Sequence, residues 1–318
     1  MNEILGHQEV IRGLRAGLAT GTMPHASLFI GPSGVGKATV AQAYVRSLMC
    51  PVTRGGETLG GCQRCEVCHK IDVRCHADLQ WVEKEEGKTR ISIDQVRELS
   101  RFLSLTPMEA EWKVAIVDDA AEMNAAAANA LLKTLEEPPA NSILVLITSR
   151  PGILLPTIRS RCVKHDFQSL SKVDFFRILQ AKVGLAEDRL DAVMHYSEGN
   201  LGFALQFVKD GQLVECDRLS SELDGLLREG RLASLCNFAE NWSQANVHLV
   251  RFGVRRWLME QVRERVHEGE RPDQVRAWLS IAAFANEMFT LAETFNVNRR
   301  LLLEGILIKI LRISGAVL

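Results

Sequence analysis

Gly31-Pro32-Ser33-Gly34-Val35-Gly36-Lys37-Ala38 has the spacing of a phosphate-binding loop, G-x-x-x-x-G-K, with one atom group missing. Glycines let backbone amides close around phosphate oxygens, and Lys37 would place a point charge on the β- and γ-phosphates. The next residue of such a loop is Ser or Thr, whose hydroxyl ligates the Mg²⁺ that travels with a nucleotide. Here it is Ala38, which has no oxygen to offer. Thr39 is a poor substitute, because one helical step swings a side chain about 100° round the axis. The loop therefore predicts a cradle for ATP or ADP with an incomplete metal site, and little unaided NTP hydrolysis. A glycine-rich turn that merely joins strand to helix is the plainer alternative.

A second group of residues offers sulfur. Of eight cysteines, Cys50, Cys62, Cys65 and Cys68 cluster as C-x11-C-x2-C-x2-C. In a reducing compartment such spacing points to metal binding before disulfides. Four thiolates suit tetrahedral Zn²⁺, and an all-cysteine set leaves no open position for catalysis, so the expected role is structural. The intervening Pro51, Arg54, Gly55, Gly56, Gly60 and Gly61 read as a surface excursion. His69, Cys75 and His76 are close enough in sequence to be alternative ligands. Free thiols are the other reading.

These groups need elements to hold them. Glu9 to Ala19 reads as a helix, Ser27 to Ile30 as a buried strand that ends at the glycine loop, and Lys37 to Met49 as a helix. Strand, glycine loop and helix in that order set phosphates on a helix N-terminus. Asp78 to Glu83 reads as a strand and Ile93 to Phe102 as a helix. Val114 to Val117 and Ile143 to Ile147 are apolar strands, and between them Ala125 to Leu135 is a helix stopped at Pro138-Pro139. Apolar strands alternating with helices predict an α/β core whose parallel sheet is covered on both faces. Beyond about Phe167 strand signals disappear, and helices are expected over Lys172 to Val183, Ala186 to Tyr196, Asn200 to Lys209, Leu219 to Leu227, Val247 to Val266, Val275 to Thr290 and Asn298 to Ile313. The expected division is 1–168, with the cysteine insert at 50–68, then 169–210 and 211–318.

Composition sets limits. The 318 residues are 47% hydrophobic and 24% charged, near globular averages, with a net charge of −1 that gives no global pull toward nucleic acid. The N-terminus lacks the basic and apolar regions of a secretory signal, and Leu301 to Leu318 is interrupted by Glu304, Lys309 and Arg312. A cytoplasmic protein with no membrane partner is expected. Arg251, Arg255, Arg256, Arg263 and Arg265 give one basic helix, read as solvated or paired with acidic neighbours before nucleic acid. The apolar stripe of Leu301, Leu302, Leu303, Ile306, Ile308, Ile310 and Leu311 is either core or an oligomer contact.

Asp118-Asp119 at the end of a strand, Asn129-Ala130-Leu131-Leu132-Lys133-Thr134-Leu135-Glu136-Glu137-Pro138-Pro139, and Ser160-Arg161-Cys162 together resemble the clamp-loader branch of the AAA+ ATPases. The resemblance runs through the N-terminal half and extends to the four-cysteine insert. It implies an AAA+ P-loop core, a small helical lid and an all-helical collar. It implies that Asp118 helps hold Mg²⁺, that Thr148 is the polar group sensing the γ-phosphate, and that Asp119 stands where active relatives carry a Glu. An Asp there falls short by about 1.5 Å, one C–C bond, and misplacement by about 1 Å can cost a hundredfold in rate. In Gly199-Asn200-Leu201-Gly202-Phe203-Ala204-Leu205, Gly202 matches an Arg that touches phosphates in active relatives. Ala38, Asp119 and Gly202 thus weaken one site in three ways. Each has a bland counterpart: a strand-end cap for the acidic pair, packing for Thr148.

Arg161 would be an arginine finger, stabilising charge on nucleotide held by a neighbour, unless it makes an intramolecular salt bridge. The resemblance implies gamma/tau-type ATPase subunits and a delta-type clamp opener as partners in a hetero-pentamer, which acts on a sliding clamp and primer-template DNA. The expected role is a largely ATPase-silent ring member. The rivals are an active ATPase subunit of the same complex and a zinc-containing nucleic-acid adaptor.

Overall fold

Alternating apolar strands and helices build a parallel sheet covered on both faces, seen in a computed structural model that describes residues 4–53, 59–85, 87–197, 199–294 and 297–314. Its strands are β1 (Ala26–Ile30), β2 (Leu79–Val82), β3 (Lys113–Val117), β4 (Ser142–Thr148) and β5 (Val163–Asp166). They lie in the order β2-β3-β4-β1-β5, every pair parallel. Helix α1 (Gln8–Thr20) precedes β1, and the connections carry α2 (Lys37–Met49), α3 (Glu66–Asp72), α4 (Ile93–Leu103), α5 (Ala125–Glu136) and the single turn α6 (Pro156–Arg159).

Side chains alternate across the sheet, as strand geometry requires. Leu28, Ala115, Val117, Leu144 and Leu146 face one way, packed with Val96 and Leu99 of α4 and Ala127 and Leu131 of α5. Phe29, Val114, Ile116, Ile143 and Val145 face the other way, against Leu14 of α1 and Val40, Tyr44 and Val45 of α2. Burying both faces is what makes the strand sequences read as continuous apolar runs. A capping box of Ser92 and Gln95 opens α4, and the Asn124 side chain accepts from Ala127 N to open α5. The expected α/β P-loop core is therefore present.

The strand β5, the short helices α3 and α6 and the helix over Leu232–Ser243 were not anticipated, and one helix starts earlier than expected. The edge strand β5 reads Val-Lys-His-Asp and, among the described residues, pairs with β1 alone, so it lacks an apolar signature. Within the cysteine segment, α3 is too short to show periodicity. The helix expected from Leu219 begins at Gln212, because Leu213 and Cys216 continue the buried face of Leu219, Leu223 and Leu226.

The chain divides into two compact units, Met1–Ala204 and Leu205–Leu318. The first ends in helices α7 (Lys172–Val183), α8 (Glu187–Tyr196) and the first turn of α9 (Leu201–Lys209). The second is helical: α10 (Gln212–Glu229), α11 (Leu232–Ser243), α12 (Val247–His267), α13 (Pro272–Thr294) and α14 (Arg299–Ser314). Leu302, Leu303, Ile306, Ile310 and Leu311 of the apolar stripe are buried here, while Leu301 is 63% exposed. Arg251 of the basic helix donates to Asn286, Arg256 to Asp217 and Glu260, and Arg265 lies over the Trp278 ring. Among the described residues no helix is long and apolar enough to cross a membrane.

Candidate functional site

The phosphate loop leaves the C-terminal end of β1, where open α/β sheets bind ligands. Gly31 must be glycine: an added Cβ would lie 2.3 Å from the Phe167 carbonyl oxygen. Gly34 (φ 70°) is equally constrained, since a Cβ would come within 1.5 Å of the Asn200 Oδ1. Gly36 precedes α2 without a side-chain cap, leaving the first-turn amides of that helix to the loop. Lys37 is only 6% exposed, and its ammonium donates to the carbonyl oxygens of Gly31 (2.8 Å) and Pro32 (2.6 Å). Burial lowers its pKa, opposed by the charges of Asp118 and Asp119. His7, which no local sequence signal marked, approaches the loop through Nε2, 2.8 Å from the Val35 carbonyl oxygen.

Ala38 packs against the apolar layer beside α2, and Thr39, one helical step on, is exposed. Position 38 therefore brings no hydroxyl to the loop. Asp118 continues β3, its amide donating to the Val82 carbonyl at 2.8 Å. Burial, with Glu83 next, raises its carboxyl above the ordinary range, partly countered by Arg74. Asp119 sits in the left-handed region at φ 55°. Its Oδ2 lies 3.6 Å from an Arg150 nitrogen, and its Oδ1 is enclosed with no hydrogen-bond partner. Arg150 also pairs closely with Glu122, which Arg90 approaches at 3.6 Å from its other side. Sequence reasoning missed Arg150 because its role depends on a turn two residues beyond the end of β4.

Thr148 closes β4 and is buried. Its hydroxyl accepts the Arg150 amide at 3.0 Å, and its carbonyl oxygen accepts the Gly31 amide at 3.3 Å. The hydroxyl proton is still available to donate. Gly202, at the start of α9, donates its amide to the Gly34 carbonyl oxygen at 3.2 Å. A Cβ at 202 would lie 3.5 Å from Asn200 Oδ1 and 3.6 Å from Gly34 Cα, so there is room for a side chain that glycine does not have. The structure thus gathers Lys37, Asp118 and Asp119 electrostatically, and brings Gly202 onto the loop itself. Arg161 is elsewhere: its guanidinium donates to Glu136 of α5 (2.9 Å) and to the Thr157 carbonyl (3.0 Å).

The four cysteines converge at the far end of α2. Cys50 ends that helix, Cys65 caps α3, and Cys68 lies in its first turn. The sulfurs of Cys50 and Cys65 are 3.8 Å apart, those of Cys62 and Cys68 4.0 Å, and all four lie within 4.8 Å of one another. A tetrahedral ion with arms of about 2.3 Å has sulfur–sulfur edges of about 3.8 Å, whereas a disulfide needs about 2.05 Å. Backbone amides of Cys62, Cys65 and Cys68 donate to Cys50, Cys62 and Cys65 sulfurs at 3.3–3.4 Å, which favours thiolates. The donor set could hold a metal ion. His69, Cys75 and His76 stand outside the group. Ser47 accepts the Gly60 amide (2.7 Å) and Arg46 donates to its carbonyl (2.9 Å), tying the knuckle to α2. Arg54, Gly55 and Gly56 lie outside the described residues.

A family model described as DNA polymerase III, delta subunit matches residues 6–171, just over half the chain. The chain belongs to this family. The matched stretch contains the P-loop core and the cysteine knuckle, and the family resemblance expected from the motifs is borne out. Among curated relatives, DNA polymerase III subunit delta' of Pseudomonas aeruginosa is 40% identical over 141 residues, 44% of this chain and 42% of the relative. Subunit delta' of Escherichia coli is 35% identical over 192 residues, 60% and 57% of the two chains. Subunit gamma of Buchnera aphidicola is 30% identical over 212 residues, 65% and 57%. The chain spans about half the length of the curated relatives it matches.

Proposed function

We propose that the chain is the delta-prime subunit of a bacterial sliding-clamp loader, largely silent as an ATPase, which supplies Arg161 in trans to a neighbouring ATPase subunit. The observation that carries this reading is the state of the nucleotide site: position 38 has no hydroxyl, Asp119 is drawn to Arg150, and Gly202 brings no charge. If a nucleotide binds, the loop amides and Lys37 hold its phosphates, Asp118 faces any accompanying cation, and Thr148 donates its hydroxyl proton. ATP or ADP would then serve as a structural ligand, since Asp119, which stands where a water-orienting group is expected, is drawn to Arg150 instead.

Arg161 has a different energy balance. Its pair with Glu136 is 36% and 50% exposed, a class worth roughly 0–1 kcal/mol. An arginine finger is worth about 10³–10⁵ in rate, or about 4–7 kcal/mol of barrier. A pair this weak is easily given up, so the intramolecular contact and the trans role are compatible. Residues 1–168 would act as the AAA+ core, 169–210 as its lid and 211–318 as the collar of a hetero-pentamer. The other members would be gamma/tau ATPase subunits and delta, loading the clamp on primer-template DNA in the cytoplasm. Zn²⁺ on Cys50, Cys62, Cys65 and Cys68 would cross-link the knuckle. The test is Arg161→Ala in the reconstituted loader: clamp-dependent ATP turnover should collapse at the neighbouring site, and unchanged turnover sinks the trans role.

The likeness to gamma subunits, with Lys37 and Asp118 retained, supports a second reading as an active ATPase. Mg²⁺-dependent hydrolysis by the purified chain, abolished by Lys37→Ala, would establish it in place of the first.

A further inference from the structure

The turn that carries Arg161 carries a second arginine two residues earlier, and the two are treated very differently. Ile158 is fully buried and Cys162 is 9% exposed, so both ends of the 159–161 stretch are anchored in the core. Arg161 spends its donors on Glu136 and the Thr157 carbonyl. The Arg159 guanidinium makes no hydrogen bond or ion pair with any described residue, and its Nε is enclosed without an acceptor. From Ser149 to His165 the chain has Arg150, Arg159, Arg161 and Lys164 and no carboxylate, so nothing along this segment neutralises it. Arg150 is taken up by Glu122 and Asp119.

A guanidinium presents five donors in a rigid fork matched to two oxygens of one anion. The Arg159 Nε is left without an acceptor, which is unfavourable, while the residue as a whole is half-buried and keeps part of its fork open to an oxyanion from outside. Arg161 follows two residues later on the same anchored turn.

We propose that Arg159 is a second anion-binding arginine of this turn, receiving an oxyanion presented by the neighbouring subunit beside the group that Arg161 meets. The anion is a nucleotide phosphate or a side-chain carboxylate. The proposal rests on the trans reading of Arg161, and it adds a contact that reading does not require.

The test uses the full chain in the reconstituted loader with Arg159→Gln, which keeps an alkyl stem and a donor but removes the charge, and Arg159→Lys, which keeps the charge and loses the fork. Arg161→Ala is run in parallel, as are melting temperatures of the isolated chains. Arg159→Gln should melt like the parent and lower loader function at least tenfold, with Arg159→Lys intermediate. If the anion is phosphate, the loss falls on KM or kcat for ATP, and assembly without nucleotide is unchanged. If it is a carboxylate, assembly weakens tenfold with or without nucleotide. Arg159→Gln equal to the parent in KM, kcat and assembly overturns the proposal while leaving Arg161 untouched. Normal turnover in Arg161→Ala overturns the trans reading on which it rests. A loss in Arg159→Gln matched by a lower melting temperature and fully restored at lower temperature assigns Arg159 a packing role and also overturns it.

Discussion

The two ends of α2 hold two different kinds of site. Its N-terminal end is wrapped by the phosphate loop, where backbone amides and glycines make the shape and side chains add the chemistry. Its C-terminal end is Cys50, the first member of a cluster in which side chains make both shape and chemistry. At the first end the side-chain oxygen at position 38 is gone, yet the loop keeps its form, because Gly31 and Gly34 fit against Phe167 and Asn200 and Lys37 satisfies the loop carbonyls. At the second end all four sulfurs are in place. A site shaped by backbone can outlive its chemistry, whereas one shaped by its own ligands cannot.

Cysteine substitution is the strongest way to break this comparison. Cys65→Ser should abolish bound zinc by mass spectrometry and cost several kcal/mol, since metal-binding energy in such knuckles is folding energy of order 10 kcal/mol. No zinc in the parent, together with an unchanged melting curve for Cys65→Ser, would show that the cluster is four free thiols.

Acid tests the support behind the cysteine end. Lys70 of α3 pairs with Glu109 at 3.1 Å, and the backbone around Glu109 is pinned by Asp78. Burial opposes the Asp78 carboxylate, but amides of Met108, Glu109 and Ala110 and the buried Lys113 ammonium outweigh it and hold the carboxyl at about 2. A lowered folded pKa contributes stability that is complete above the unfolded value near 4 and is lost as pH falls through about 2. That contribution is about 2 kcal/mol. Denaturation curves of Asp78→Asn should be destabilised at neutral pH and should lack this acid limb; an unchanged limb would assign it to other carboxylates.

Gly34→Ala probes the phosphate end as a shape. The added methyl meets Asn200, whose Oδ1 caps α9 through the Phe203 amide at 2.9 Å, and alanine must also accept φ 70°. Loss of a cap and left-handed strain together predict about 2 kcal/mol, read by thermal melting without nucleotide. A neutral result would mean that the loop does not depend on its contact with Asn200. The smallest effect is Ala38→Ser, expected to change stability by less than about 0.5 kcal/mol. With Asp119 still drawn to Arg150, it should not bring hydrolysis above background in a coupled ATPase assay. Robust turnover from this single change would show that one hydroxyl was all the site lacked.

Much of this was legible before folding. The apolar runs of β1, β3 and β4 announced a parallel sheet because both faces are buried, and the C-x2-C steps announced a ligand cluster because neighbouring turns bring such sulfurs together. The strand β5 was invisible, since an edge strand with a solvent face needs no apolar pattern. Arg150 and His7 were equally silent. One acts through a turn after β4, the other through a contact 28 residues away in the chain.

By itself the sequence determined which atoms exist: a lysine and glycines without a hydroxyl at 38, an Asp at 119, no side chain at 202, four sulfurs at knuckle spacing, two arginines at 159 and 161. Those facts are local and survive any conformation. Only the tertiary structure decided what those atoms meet. It turned Asp119 toward Arg150, set Gly202 against Gly34, gave Arg161 an acceptor in Glu136 and left Arg159 without one. Partners distant in sequence are chosen by packing the helices onto the sheet, and electrostatic interactions between side chains depend on separation and burial, which no run of neighbouring residues encodes.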